Sequence, residues 1–207
     1  MADPWLGIPL ADYEAHMAAP SVGQARMLAD SFAAALSAHS PTSVAILGCA
    51  GGNGFERVAG TTVRRLVGID INPRYLAQAR RRYAGKVPGL ELHCADLQRE
   101  LPAIEPVELV FAALLFEYVR MPAALANTRT LCRPGGVLVA LLQLPGETAC
   151  MISPSPYASL QALGPVMRPI PPLELRHSAA GQGFAFASEA IIALASGKRF
   201  SVQTFRG

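Results

Sequence analysis

Apolar and polar positions alternate along this chain in a way that separates an opening arm, a strand–helix core and a strand-rich tail. Ser21-Val22-Gly23-Gln24 has the form of a capping box, and behind it Val22, Ala25, Leu28, Ala29, Phe32 and Leu36 recur at helical spacing to about His39. The cluster Ser40-Pro41-Thr42-Ser43 ends that helix. Apolar runs at Val44–Gly48, Leu66–Asp70, Leu90–Cys94, Val107–Leu115 and Val137–Gln143 predict five strands. Asn72-Pro73, a capping residue followed by proline at the first helical position, opens a helix continued by Leu76, Ala79 and Tyr83. A second helix over Pro122–Cys132 is stopped by Pro134-Gly135-Gly136. Strands alternating with helices at this spacing form parallel βαβ units, hence a doubly wound α/β sheet.

The two ends depart from that rhythm. Gly183–Leu194 and Lys198–Phe205 are strand-like and separated only by Ala195-Ser196-Gly197, too close for a helical crossover, so they should pair as an antiparallel hairpin. The proline-rich connection between Pro145 and Pro172 is helix-poor, with a short helix at Tyr157–Leu163; connections of this length are often functional. Trp5 to Met17 reads as an arm ending at Pro20. The expected architecture is one domain with a Rossmann-like, seven-stranded sheet, mostly parallel with an antiparallel last strand. It comprises an arm (1–40), a core (41–144), an insert (145–182) and the hairpin (183–207).

Composition narrows the function classes. With 207 residues, half of them hydrophobic, the chain is long enough to bury a core without disulfides and is not a disordered tract. The apolar run Val137–Gly146 is too short to span a bilayer, and Met1 to Trp5 has no secretory pattern, so a soluble cytoplasmic protein is expected. A net charge of +3, spread over both halves, gives no electrostatic reason to expect nucleic acid. The Arg80–Lys86 cluster is read as the solvated face of a helix. Cys49, Cys94, Cys132 and Cys150 show no CxxC spacing, so reduced, packed thiols are expected and no metal.

Chemistry concentrates at strand ends. The first strand runs into Gly48-Cys49-Ala50-Gly51-Gly52-Asn53-Gly54, a turn that lets a ligand approach the backbone. The usual dinucleotide glycine spacing is not matched. Asp70 closes the second strand, where a carboxylate can accept both hydroxyls of a ribose. That pair fits nicotinamide and adenosine cofactors alike. Asp96 after the third strand adds a carboxylate for an exocyclic amine of adenine, with Leu97 to pack on the ring.

Taken in order, the glycine turn, Gly68-Ile69-Asp70-Ile71-Asn72-Pro73, Ala95-Asp96-Leu97 and Arg133-Pro134-Gly135-Gly136 resemble the motifs of class I S-adenosylmethionine-dependent methyltransferases of the small-molecule type. The resemblance implies S-adenosyl-L-methionine as cofactor and S-adenosyl-L-homocysteine as product. Gly48, Cys49, Ala50, Gly51 and Asn53 would form the turn around the amino-acid end of the cofactor. Asp70 would hold the ribose, Ile71, Asp96 and Leu97 the adenine, and Ala112 and Ala113 would lie beneath the sulfonium. Tyr13 resembles an N-terminal tyrosine that caps the methionine carboxylate in relatives, and a packing role for it is equally open.

The acceptor side is less legible. Many small-molecule relatives carry Glu-His after the fourth strand, where this chain has Phe116-Glu117-Tyr118-Val119. No Asn-Pro-Pro-Tyr run follows that strand either, which argues against an adenine or glutamine-amide acceptor. His16 in the arm is the first candidate for a base, then Glu117 and Tyr118; His177 and Tyr157 are candidates for lining the acceptor pocket. His39 and His93 are assigned to a helix end and a strand face. The expected function is methyl transfer to oxygen or nitrogen of a small-molecule acceptor, with neither nucleic acid nor membrane as partner and a homodimer left open. A non-catalytic cofactor-binding sensor or partner subunit stands as the alternative, and a nicotinamide-dependent oxidoreductase as a weaker one.

Overall fold

A computed structural model describes residues 3–145 and 153–207. Its core is a single seven-stranded sheet in the order β3-β2-β1-β4-β5-β7-β6. The strands are β1 (Ser43–Leu47), β2 (Arg65–Asp70), β3 (Leu90–Cys94), β4 (Val107–Ala113), β5 (Cys132–Gln143), β6 (Ala185–Ala193) and β7 (Arg199–Arg206). The first five are mutually parallel, and β7 runs antiparallel to β5 and β6. β1, β2 and, after Glu108, β4 are buried on both faces, which is why they read as apolar runs.

Helices cover both faces. On one side α2 (Gln24–His39) and α3 (Pro73–Tyr83) bury Phe32, Leu36, Leu76 and Ala79 against β1 and its neighbours. On the other, α4 (Met121–Leu131) and α5 (Pro172–Gly181) bury Leu125, Leu131, Leu175 and Ala179. The Asn72 side chain accepts the Arg74 N–H, and Pro73 occupies the first helical turn, so α3 begins as its sequence predicts. The arm folds as a 3-10 turn (Pro4–Leu6) and α1 (Leu10–Ala18).

Three local expectations change. No capping box forms at Ser21: Gly23 precedes α2 in the left-handed region, and the Gln24 side chain turns inward to Gln143. α5 begins at the last proline of the helix-poor connection and runs over residues whose pattern predicts no element, its start set by Pro171 and Pro172 and its inner face reduced to Leu175 and Ala179. β4 stops two residues short of Leu115, because Leu114 turns out of the strand at φ +54°. Among the cysteines Cys49 and Cys132 are buried, Cys94 is exposed instead of packed, and Cys150 lies outside the described residues. No helix among the described residues is long and apolar enough to cross a membrane.

Candidate active site

The strand order reverses between β1 and β4, so their carboxyl ends part and leave a crevice, where open α/β sheets bind ligands. Gly48 leaves β1 at φ +67°, a conformation open to glycine at little cost, and exposes its backbone to the crevice. The Gly48 and Cys49 N–H groups both donate to the Ile69 carbonyl, tying the turn to β2. Ala50, also left-handed at φ +46°, donates its N–H to Asp70 Oδ2 at 2.8 Å, and the Asn72 N–H donates to Oδ1 at 2.8 Å. Each Asp70 oxygen thus has one backbone donor and retains acceptor capacity toward the crevice. Burial pushes the Asp70 carboxyl up to about 6, against the downward pull of those two hydrogen bonds.

Asp96 and Leu97 stand at the far end of the crevice. Asp96 accepts the Gln98 N–H and pairs with Arg99, and the Leu97 carbonyl is held by Asn127 Nδ2. Val119 and Ala113 line the wall from the β4 side, and Trp5 and Tyr13 from the arm roof it. The roof is strapped to α3. Asn72 Nδ2 donates to the Trp5 carbonyl, Arg74 to that of Leu6 and the Tyr75 hydroxyl to that of Ile8, while Arg82 pairs with Glu14.

Of the residues singled out for the cofactor, Tyr13, Gly48, Ala50, Asp70, Ile71, Asp96, Leu97 and Ala113 line this crevice together. Four others lie off it. Cys49 points into the core beneath Gly68, and Gly51 is pressed under α1, where a Cβ would collide with Glu14 and Leu10. Asn53 faces α2 and donates to the Ala25 carbonyl, and Ala112 is buried under α4. Asp3, Trp5, Tyr75 and Gln98 line the crevice without having been anticipated.

A second cavity lies behind the first. Trp5, Tyr13, Leu114 and Tyr118 line both, so these four side chains form a common wall. Trp5 packs edge-on against Tyr13 and Tyr118, with ring centroids 5.5 and 5.2 Å apart. The far side is closed by Met17, Leu160, Leu163 and Met167, and its polar lining is His16, Gln24, Gln143 and Lys198. Gln24 Nε2 donates to Gln143 Oε1 at 3.1 Å across a sequence separation of 119 residues. Nothing in the local pattern marks Gln24, Gln143 or Lys198 as site residues; only the tertiary fold gathers them.

The candidates for acceptor chemistry separate cleanly. His16 is buried and faces the second cavity, and Tyr118 stands in the common wall. Burial and the nearby Lys198 charge push the His16 imidazole below its usual range. Glu117 lies behind the cavity, not in it: Oε1 accepts the Gln143 N–H at 2.8 Å, Oε2 is buried with no partner among the described residues, and burial pushes the carboxyl up to about 7. His177 sits on the exposed face of α5, across the sheet, and Tyr157 packs beside Leu160 and Leu163 outside the cavity lining. His39 ends α2 and His93 lies in β3, as expected. Among the described residues no group of three His, Cys, Asp or Glu side chains gathers to hold a metal.

Residues 44–136 match the family model described as a methyltransferase domain. The match covers 93 of the 207 residues, from β1 into the first part of β5. Among solved structures it is similar to the N-methyltransferase NodS from Bradyrhizobium japonicum WM9 in complex with S-adenosyl-L-homocysteine. That pair shares 17% identity over 89% of this chain and 87% of NodS, with a TM-score of 0.68. It is similar also to magnesium protoporphyrin IX methyltransferase (ChlM) from Synechocystis PCC 6803 with bound S-adenosylhomocysteine, at 15% identity over 90% of this chain and 84% of that one (TM-score 0.67). The [4+2]-cyclase SpnF matches as well, at 15% identity over 88% and 81% (TM-score 0.68). At these identities the likeness is one of fold. No curated protein sequence matches the chain.

Proposed function

We propose that the protein transfers a methyl group from S-adenosyl-L-methionine to a small-molecule acceptor, at oxygen or nitrogen. The observation that carries this reading is the pair of cavities back to back across Trp5, Tyr13, Leu114 and Tyr118. In-line transfer needs nucleophile, methyl carbon and sulfur collinear and in direct contact with water excluded, so donor and acceptor would meet at the boundary that these four side chains share.

The crevice suits the cofactor. Asp70 offers free acceptor capacity for two ribose hydroxyls, Asp96 and Leu97 an edge and a face for adenine, and Gly48 an uncovered backbone for the amino-acid end. When bound, the cofactor supplies an activated methyl group on a sulfonium. The protein's own part is to orient and enclose: the arm roofs the crevice, and the wall holds the acceptor in register. A base is needed only for a poor nucleophile, and His16 is the side chain placed to act as one.

The whole chain then works as one domain, the arm and the first part of the insert closing the acceptor side. α5, which falls within residues 145–182, belongs structurally to the opposite face of the sheet. A second reading, cofactor binding without methyl transfer, keeps its place because SpnF has this fold and is described as a [4+2]-cyclase. Calorimetric titration of the purified protein with S-adenosylmethionine, S-adenosylhomocysteine and NAD tests the first step. Heat from the two adenosyl sulfur compounds alone is expected, and binding of NAD alone would overturn the proposal. Binding without turnover across an acceptor panel would favour the second reading.

A further inference from the structure

The outer edge of β6 is built to take another strand. We infer that two copies of the protein pair there as a symmetric dimer, β6 antiparallel to β6, joining their two seven-stranded sheets into one. The pairing is independent of which reaction the protein performs.

β6 ends the strand order, and no strand among the described residues lies beyond it. The Leu194 N–H donates to the Lys198 carbonyl, and bonds in an antiparallel ladder recur at every second residue pair. Ile192 and Ala190, opposite Phe200 and Val202, therefore turn their main-chain groups to β7, while Glu189, Ile191 and Ala193 turn theirs outward. Such an open row templates another strand unless it is short, bulged, or defended by proline or charge. β6 is nine residues long, contains neither lysine nor proline, and has its register shift near the start, between Phe186 and Ser188. Its one charged side chain, Glu189, is held on the α5 face by Ser201 Oγ and Arg176 Nη2, both at 2.6 Å. Of the four large hydrophobic side chains left exposed among the described residues, Phe186 and Ile191 belong to this strand. A third, Leu173, lies in the first turn of α5, the helix packed beside it.

Symmetry and charge make a second copy the occupant. With a two-fold axis at Ile191, that residue meets Ile191 of the second copy, and Glu189 meets Ala193. No like charges are opposed, and the outward groups of Glu189, Ile191 and Ala193 form about six main-chain hydrogen bonds. Ala193 lies opposite Arg199 within the hairpin, so Arg199 shares the sheet face that carries Glu189. Arg199 is exposed and makes no ion pair among the described residues. Across the axis, Glu189 of one copy and Arg199 of the other stand two strands apart, about 10 Å between Cα atoms. Only the small Ala193 side chain lies between them, and an arginine reaches over it. The Glu189 oxygens keep acceptor capacity beyond their present partners, and symmetry repeats the ion pair.

Sedimentation equilibrium of the whole protein should give twice the 21.9 kDa of one chain. Ile191→Lys sets two ammonium groups against each other at the axis and should weaken association by about 100-fold or more. Ile191 is exposed, so the monomer should stay folded by circular dichroism. Arg199→Glu brings carboxylates together and should weaken association by about tenfold. Disulfide trapping tests the register. On a Cys94→Ser background, which removes an exposed thiol, Ile191→Cys should oxidise to a covalent dimer and Ile192→Cys should not. A monomer at concentrations up to about 100 μM, a dimer indifferent to Ile191→Lys, or trapping through Ile192→Cys in place of Ile191→Cys would each overturn the assignment.

Discussion

The cofactor crevice and the acceptor cavity share a wall but are built by different means. The floor of the crevice is backbone: the ends of β1, β2 and β4 held in a continuous ladder, with Asp70 oriented by two main-chain N–H groups. The cavity is assembled from side chains of the arm, the insert and the hairpin turn set against Leu114, Tyr118 and Gln143 of the core. Its ties are long-range contacts such as Gln24–Gln143 and Ser159–Asp12, and a small cluster around Ile8, Leu160 and Leu163. A ladder resists distortion as a unit, whereas a side-chain wall changes shape with a single substitution. One scaffold can therefore keep a cofactor site while its acceptor side diverges.

The largest expected effect sharpens that contrast at Asp70. Asp70→Asn removes the charge from two prospective ribose hydrogen bonds, worth about 1.5–3 kcal/mol each. Calorimetry should show S-adenosylhomocysteine binding at least roughly 100-fold weaker, with the melting transition retained. An unchanged affinity would refute the ribose role.

Next comes Glu117, which belongs to neither cavity. Its folded carboxyl is raised to about 7, so the native state holds a proton that the unfolded chain releases near its ordinary value. Stability is therefore full at low pH and declines as pH rises from about 4.5 through 7. Glu117→Gln should remove that decline, making the variant more stable than wild type by about 3 kcal/mol at pH 8 and equal to it near the low end of the window. Urea melts at the two pH values check this, and a pH-independent difference would contradict the buried-proton account.

Asp70 also makes cofactor affinity depend on pH. Ribose hydroxyls donate to the ionised carboxylate, so S-adenosylhomocysteine affinity should be flat above its value of about 6 and fall toward tenfold per pH unit below it. The smallest effect is expected at the strap. Arg82→Ala breaks a half-exposed ion pair to Glu14, worth up to about 1 kcal/mol. Limited proteolysis should cut the arm faster while global stability hardly moves.

Much of the fold is legible in the chain because its causes are local. Buried parallel strands write themselves as apolar runs, Asn72-Pro73 as a helix start, and a three-residue gap as a hairpin. Asp70 and Asp96 follow from their places at strand ends. The misreadings have physical causes as well. Membership of the glycine turn says nothing of which way a residue faces: Gly48 and Ala50 line the crevice, whereas Cys49, Gly51 and Asn53 face the core, α1 and α2. α5 hid behind prolines because only Leu175 and Ala179 mark its inner face, too few for a period to show. Ser21 has a capping spacing, but Gly23 redirects the chain before it can be used.

His16 stands out in the chain as a histidine in an arm, yet its burial and the Lys198 charge beside it exist only in the folded molecule. Periodicity and strand-end position depend on neighbours a few residues away, so the sheet, the glycine turn and the acid that closes β2 could be read from the chain. The acceptor cavity depends on Trp5, Gln24, Leu114, Gln143 and Lys198 meeting across nearly the whole length. Its polarity and depth are properties of packing between distant segments, and packing is decided when the sheet brings those segments to one edge.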